Sequence, residues 1–171
     1  IDISGYINIG DNYDLDFSNW SAGEPNNAPA PEDHAEIVNS YGMWNDANGS
    51  DGKKSYIEYE GLIQSLGNLT YLGQFNGHSY FKNEQDLTWQ EAKTAAENLG
   101  GYLASFHTAE ENSAVSSFGF FRGWIGLYHD TNSANYSEPS GGWKWVSPTS
   151  SETTAYSEIK VEFLRNGTIV N

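Results

Sequence analysis

Three observations predict an α+β fold for this chain, with two helices and small antiparallel sheets. Two stretches of helical period each open on a Thr that stands three residues before a Glu. Short runs of strand-forming residues flank them, and one pair of runs brackets Asn76-Gly77, a strong hairpin signal. Long Gly/Asn/Pro-rich stretches fill most of the remaining sequence, above all before residue 60.

Residues 1–60 carry almost no helical period. Their strand-like runs are 6–9, 35–38 and 55–59, and the weak alternation of 56–59 reads as an edge or terminal strand. Residues 61–68 read as a linker. Runs 69–75 and 78–81 then make the hairpin. Thr88 and Glu91 form a capping box, with Trp89, Ala92, Ala96 and Leu99 on one face and Gly100-Gly101 ending the helix. A second box, Thr108 with Glu111, opens a shorter helix through Ala114, Val115 and Phe118. Runs 123–127 and 142–146 read as strands, 147–153 as a Ser/Thr/Pro loop, and 159–164 as a final strand before Asn166-Gly167.

Composition excludes several classes of function. At 171 residues, with 37% hydrophobic and 15% aromatic residues, the chain has material for a core, and at 18% charged it is not a disordered acidic tail. Eight basic residues against twenty-three acidic ones, a formal charge of −15, leave little surface for nucleic-acid phosphates. No apolar run approaches the roughly 18 residues of a membrane span, and the first residues lack the form of a signal peptide. Cysteine is absent, so no disulfide or thiolate site forms. Five Asn-X-Ser/Thr sequons begin at Asn19, Asn48, Asn68, Asn135 and Asn166. The four histidines (His34, His78, His107, His129) show no zinc-like spacing and read as solvated or packed.

The most chemically pointed stretch is Asn19-Trp20-Ser21-Ala22-Gly23-Glu24-Pro25-Asn26-Asn27, with Glu32 and Trp44-Asn45-Asp46 beyond it. Glu24, Glu32 and Asp46 offer carboxylates and Asn26 and Asn45 offer amides, all oxygen donors on turn-rich backbone. Hard divalent cations, Ca²⁺ above all, take that ligand set. Trp20 and Trp44 read as core residues.

The order strand, Trp-bearing helix, Gly-Gly-Tyr-Leu-Ala-Ser, second helix, Trp-Ile-Gly-Leu, Trp-Lys-Trp-Val resembles the first half of a C-type lectin-like domain. The series Asn-Trp, Gly-Glu-Pro-Asn-Asn, Glu-Asp, Trp-Asn-Asp, Tyr-Ile-Glu resembles its second half, yet comes first in the chain. On this resemblance, 1–60 is the C-terminal half with the long calcium and sugar loop, and 69–171 is the N-terminal half with a divergent end, since 147–171 matches poorly. The fold is then split or permuted. It arises from a tandem array, a circular permutation, or exchange of halves between copies. The likeness of 5–10 to 142–147 favours the array.

The resemblance further implies a Ca²⁺ site formed by Glu24, Asn26, Glu32, Asn45 and Asp46, with the Asp46 carbonyl added and a cis Glu24–Pro25 bond. Glu24, Asn26, Glu32 and Asn45 would also bind two vicinal sugar hydroxyls. Glu-Pro-Asn resembles selectors of the mannose, glucose, fucose and GlcNAc class. His34 stands where the family's pattern has a cysteine. The expected function is a calcium-dependent carbohydrate-binding module of an extracellular or cell-surface adhesin, with glycans and neighbouring repeats as partners. The alternative is a structural or protein-binding repeat in which Ca²⁺ only orders the loop. Glu24 and Asp46 as a glycosidase pair is a poorer reading, because both are better explained as ligands of one ion.

Overall fold

A computed structural model of the chain describes Leu15 and residues 17–29 and 31–146. The expected strands at 6–9 and 159–164 and the loop at 147–153 lie outside these residues. Ten elements follow in order: β1 (His34–Ile37), β2 (Trp44–Ala47), β3 (Lys53–Glu60), β4 (Thr70–Phe75), β5 (His78–Leu87), α1 (Trp89–Asn98), β6 (Tyr102–Leu103), α2 (Ala109–Ser116), β7 (Gly123–His129) and β8 (Trp143–Trp145). Among the described residues no helix is long and apolar enough to cross a membrane.

The strands join in one sheet, where separate small sheets were expected. Its order is β2-β1-β7-β3-β5-β4, with β6 on β3 and β8 on β7. Every pairing is antiparallel except that of β3 with β7, so the sheet is mixed. The expectation of an edge or terminal strand at 56–59 is corrected here. β3 lies in the middle of the sheet, with Ser55, Tyr56, Ile57 and Glu58 all buried. Burial on both faces suppresses the alternation that marks a half-exposed strand.

The segments before and after the connector 61–68 pair with each other in one sheet. β3 pairs with β5 from Glu60↔His78 to Lys53↔Leu87. The connector is pinned to the hairpin: Gly61 N–H donates to the Gly77 carbonyl (3.0 Å) and Ile63 N–H to Ser79 Oγ (2.9 Å), while Ser79 Oγ–H donates to the Gly61 carbonyl (2.7 Å). Asn76 and Gly77 take positive φ, as the Asn-Gly hairpin requires.

Helix α1 has the full capping box, with Thr88 accepting from Glu91 N–H and Glu91 reaching back to Thr88 N–H (2.9 Å). It buries Trp89, Ala92 and Ala96. The second box is only half formed. Thr108 accepts from Glu111 N–H (3.1 Å), but the Glu111 carboxylate turns to His107 N–H (2.8 Å) and the Tyr80 hydroxyl (3.0 Å). That helix also stops at Ser116, short of the expected Phe118.

Tryptophans and other rings supply the packing that disulfides would otherwise reinforce. Trp44, Trp124 and Trp143 are fully buried and Trp89 nearly so. Their indole N–H groups donate to Asn112 Oδ1, the Leu87 carbonyl, the Pro139 carbonyl and the Ile125 carbonyl. Each large ring thus adds apolar area without leaving its one donor unpaired. The His34 ring packs on Trp89 (centroids 4.5 Å) and fills the space beside Gly49, where a Cβ would lie 2.4 Å from His34 Nδ1. Burial pushes its pKa down to about 4.

Candidate metal and ligand site

The site begins with Trp44. Its backbone N–H donates to the Asn19 carbonyl (2.9 Å), and its carbonyl accepts from Ser21 N–H (2.8 Å). The buried ring touches Phe17, Trp20 and Phe106. Trp20 is half-buried against the same cluster, so both tryptophans are packing residues, as expected. This lays the loop beside β2 and carries Asn45 and Asp46 to it.

Asp46 is fully buried, and a buried carboxylate needs donors. It accepts from the backbone N–H groups of Asn26 (3.0 Å) and Asn27 (2.7 Å). These charge-assisted bonds fix the turn that follows Pro25. The Glu24–Pro25 bond is cis, as the resemblance implied. Asn27 adopts the left-handed region (φ 51°) and secures the far side of the loop, its Oδ1 accepting from Glu32 N–H (2.9 Å). Glu32 Oε2 in turn accepts from Ala28 N–H (2.9 Å).

The consequence is a set of crowded acids. The Glu24 carboxyl is held above its ordinary value by desolvation, by its close approach to the Asp46 carboxyl and by the charge of Glu32. Glu32 is raised by desolvation and by the charge of Asp46. Glu24 Oε2 is buried and has no hydrogen-bond partner. An orphaned carboxylate oxygen amid carboxylates that repel each other suits a divalent cation, so the residues fit Ca²⁺. Asn26 is exposed and Asn45 half-buried. The Asn45 amide donates to the Asp46 carbonyl, the atom the resemblance had counted among the ion's ligands.

The four histidines take separate places. His107 is exposed and His34 packed. His78 Nδ1 lies 2.6 Å from the buried Glu58 carboxylate, a hydrogen bond that raises the imidazole's pKa. His129 is buried, and the fold sets it beside Asp33 and Glu138. The sequence reading missed that group, and it also missed the part played by Asn27. Asn27 had a local signal, an Asn pair after Pro; Asp33 and His129 meet only through the pairing of β1 with β7.

Comparison with known proteins bears on the same segments. The family model described as "Lectin C-type domain" matches residues 85–167. It therefore extends past residue 146, into the stretch that motif comparison leaves unmatched. The chain is similar to halomucin of Haloquadratum walsbyi (37% identity over 76 residues, 41% of this chain and 1% of that protein). It is also similar to CD209 antigen-like protein D of Mus musculus (34%, covering 48% of this chain and 33% of the relative). A third relative is rheacalcin-1 of Rhea americana (32%, covering 49% and 63%). The chain thus spans less than two thirds of each relative's length. No solved structure matches it significantly. Residues 85–167 thus match the C-type lectin domain, and two helices on a mixed sheet agree with an α+β C-type lectin-like fold in a chain without cysteine.

Proposed function

We propose that this chain is a calcium-dependent carbohydrate-binding module of the mannose, glucose, fucose and GlcNAc class, displayed outside the cell as part of an adhesin. C-type lectin domains are generally non-enzymatic modules that bind carbohydrate or protein. The observation that carries the finer reading is the set of Glu24, Glu32 and Asp46 carboxyls around one loop, with Glu24 Oε2 buried and unpartnered. Glu24, Asn26, Glu32, Asn45 and Asp46 would hold the ion. Bound Ca²⁺ supplies open coordination positions for two vicinal hydroxyls. Carboxylates accept from those hydroxyls and the Asn amides donate to them.

One such contact gives weak affinity, about 1 mM or −4 kcal/mol, so adhesion would rely on repeated domains. Two continuations of the helix-bearing half support membership of an array. Residues 34–60 complete its sheet, and the family match runs forward through residue 167.

The second reading, a protein-binding or structural repeat, is favoured by the bonds that tie the loop to itself and to β2. Asp46 holds Asn26 and Asn27, and Glu32 holds Ala28. Calcium titration followed by tryptophan fluorescence, run beside retention on mannose beads, separates the two. The proposal expects saturable Ca²⁺ binding and retention lost with EDTA. Calcium binding with no sugar retained in any array format favours the second.

A further inference from the structure

The geometry points to a second metal site made by Asp33, His129 and Glu138, chemically distinct from the oxygen-donor loop and suited to a borderline divalent ion such as Zn²⁺. Asp33 directly precedes β1, His129 ends β7, and Glu138 lies in the connection from β7 to β8. One ligand atom from each falls within 4.8 Å of the others. His129 Nδ1 is 3.8 Å from Asp33 Oδ1 and 3.6 Å from Glu138 Oε1.

The state of the imidazole carries the argument. His129 is 5% exposed, and its Nδ1 is buried with no hydrogen-bond partner. Nε2 lies 2.5 Å from the Gly141 carbonyl. A carbonyl only accepts, so Nε2 bears the hydrogen, which leaves Nδ1 as the ring atom that faces two carboxylates. Two carboxylate oxygens at ion-pair distance from Nδ1 call for positive charge there, on the ring or on a cation between the three atoms. Protonating Nδ1 would not complete the group by hydrogen bonding, because both oxygens lie beyond hydrogen-bond distance. A tetrahedral ion about 2.0–2.2 Å from each donor sets the donors about 3.3–3.6 Å apart, a contraction of at most a few tenths of an ångström at the Nδ1 contacts.

The surroundings hold the ligands for such an ion. The His129 ring stacks on Trp143 (4.8 Å, 4° between planes) and packs against Tyr136. Its backbone N–H donates to the Asp33 carbonyl (2.8 Å), which fixes one ligand relative to another. Glu138 Oε2 accepts from Asn27 Nδ2 (2.9 Å), and the Tyr136 hydroxyl donates to Oε1. A ring N–H held by a backbone carbonyl while the other nitrogen binds metal is the usual outer-shell pattern. Imidazole nitrogen favours Zn²⁺ and its neighbours, whereas Ca²⁺ prefers oxygen. Since Asn27 links Glu138 to the calcium loop, loading one site would also stiffen the other's frame.

The test is titration of the whole chain with Zn²⁺ in saturating Ca²⁺, followed by calorimetry and by ¹⁵N NMR of the histidine rings. The expected result is one equivalent of Zn²⁺ bound, with a shift of the His129 Nδ1 resonance. His129→Gln should abolish that equivalent, and Glu138→Gln, at an exposed side chain, should weaken it about tenfold or more while the fold is kept. Displacement of the Zn²⁺ by Ca²⁺ overturns the proposal, as does wild-type Zn²⁺ binding by Glu138→Gln and Asp33→Asn. The proposal does not rest on the calcium reading: a chain that binds Zn²⁺ here but no Ca²⁺ upholds this site and removes the other.

Discussion

The loop of residues 24–32 and the helix-bearing half after residue 69 are held by different forces. The loop has little apolar interior; it keeps its shape through backbone N–H groups donated to Asp46 and Glu32 and through the Asn27 side chain. The later half is closed by buried rings, paired strands and a boxed helix. One region therefore answers to charge, pH and metal, while the other answers to volume and contact. On the proposed function, a scaffold closed by its own contacts would stand whether or not the loop is loaded.

Substitutions can break the contrast in order of size. Trp89→Ala removes a ring packed on His34 and Tyr128 and a donor to the Ile125 carbonyl, and should cost about 3–5 kcal/mol of global stability in denaturant melts, equally with and without Ca²⁺. Asp46→Ala releases two backbone donors and should cost about 2–3 kcal/mol in the loop. Its Ca²⁺ affinity should fall by about 100-fold, read by fluorescence titration, with hydrogen exchange in α1 unchanged.

Acid supplies the next comparison. The His34 imidazole is half-buried with its pKa lowered to about 4, so between pH 6.5 and 4 the unfolded chain binds the extra proton and stability is lost as pH falls. The loss should reach about 2 kcal/mol after partial exposure screens the full shift, and His34→Gln should flatten it. Glu24 and Glu32 act in the opposite sense in the metal-free protein. Their raised pKa values mean that the folded state takes up protons first as pH falls, which relieves their repulsion. Calcium must displace those protons, so its affinity should start to fall above the ordinary carboxylate range, and calorimetry against pH measures this. The smallest effect is Thr88→Ala, about 1 kcal/mol from the cap of α1, seen in thermal melts.

Legibility in the sequence followed the same division. Local rules found α1, because its cap, its apolar face and its Gly-Gly stop all lie within fourteen residues. They found the Asn-Gly hairpin but stopped β5 at Phe81, because Lys82, Asn83, Glu84, Gln85 and Asp86 carry no apolar alternation; pairing with β3 extends the strand. They misplaced β3, whose buried Glu58 finds its partners outside its own segment, in His78 and in Ser105 N–H (3.0 Å). At the loop, Glu24, Glu32 and Asp46 stand out as candidates because oxygen donors cluster over a short span. His129 could not, since its partners arrive from β1 and from the connection to β8.

The most direct test is a glycan array probed with the clustered wild-type chain in Ca²⁺, after EDTA, and after Ca²⁺ is restored. The account predicts signal on mannose-class glycans that disappears with chelator and returns with calcium. Equal signal with and without chelator would contradict it.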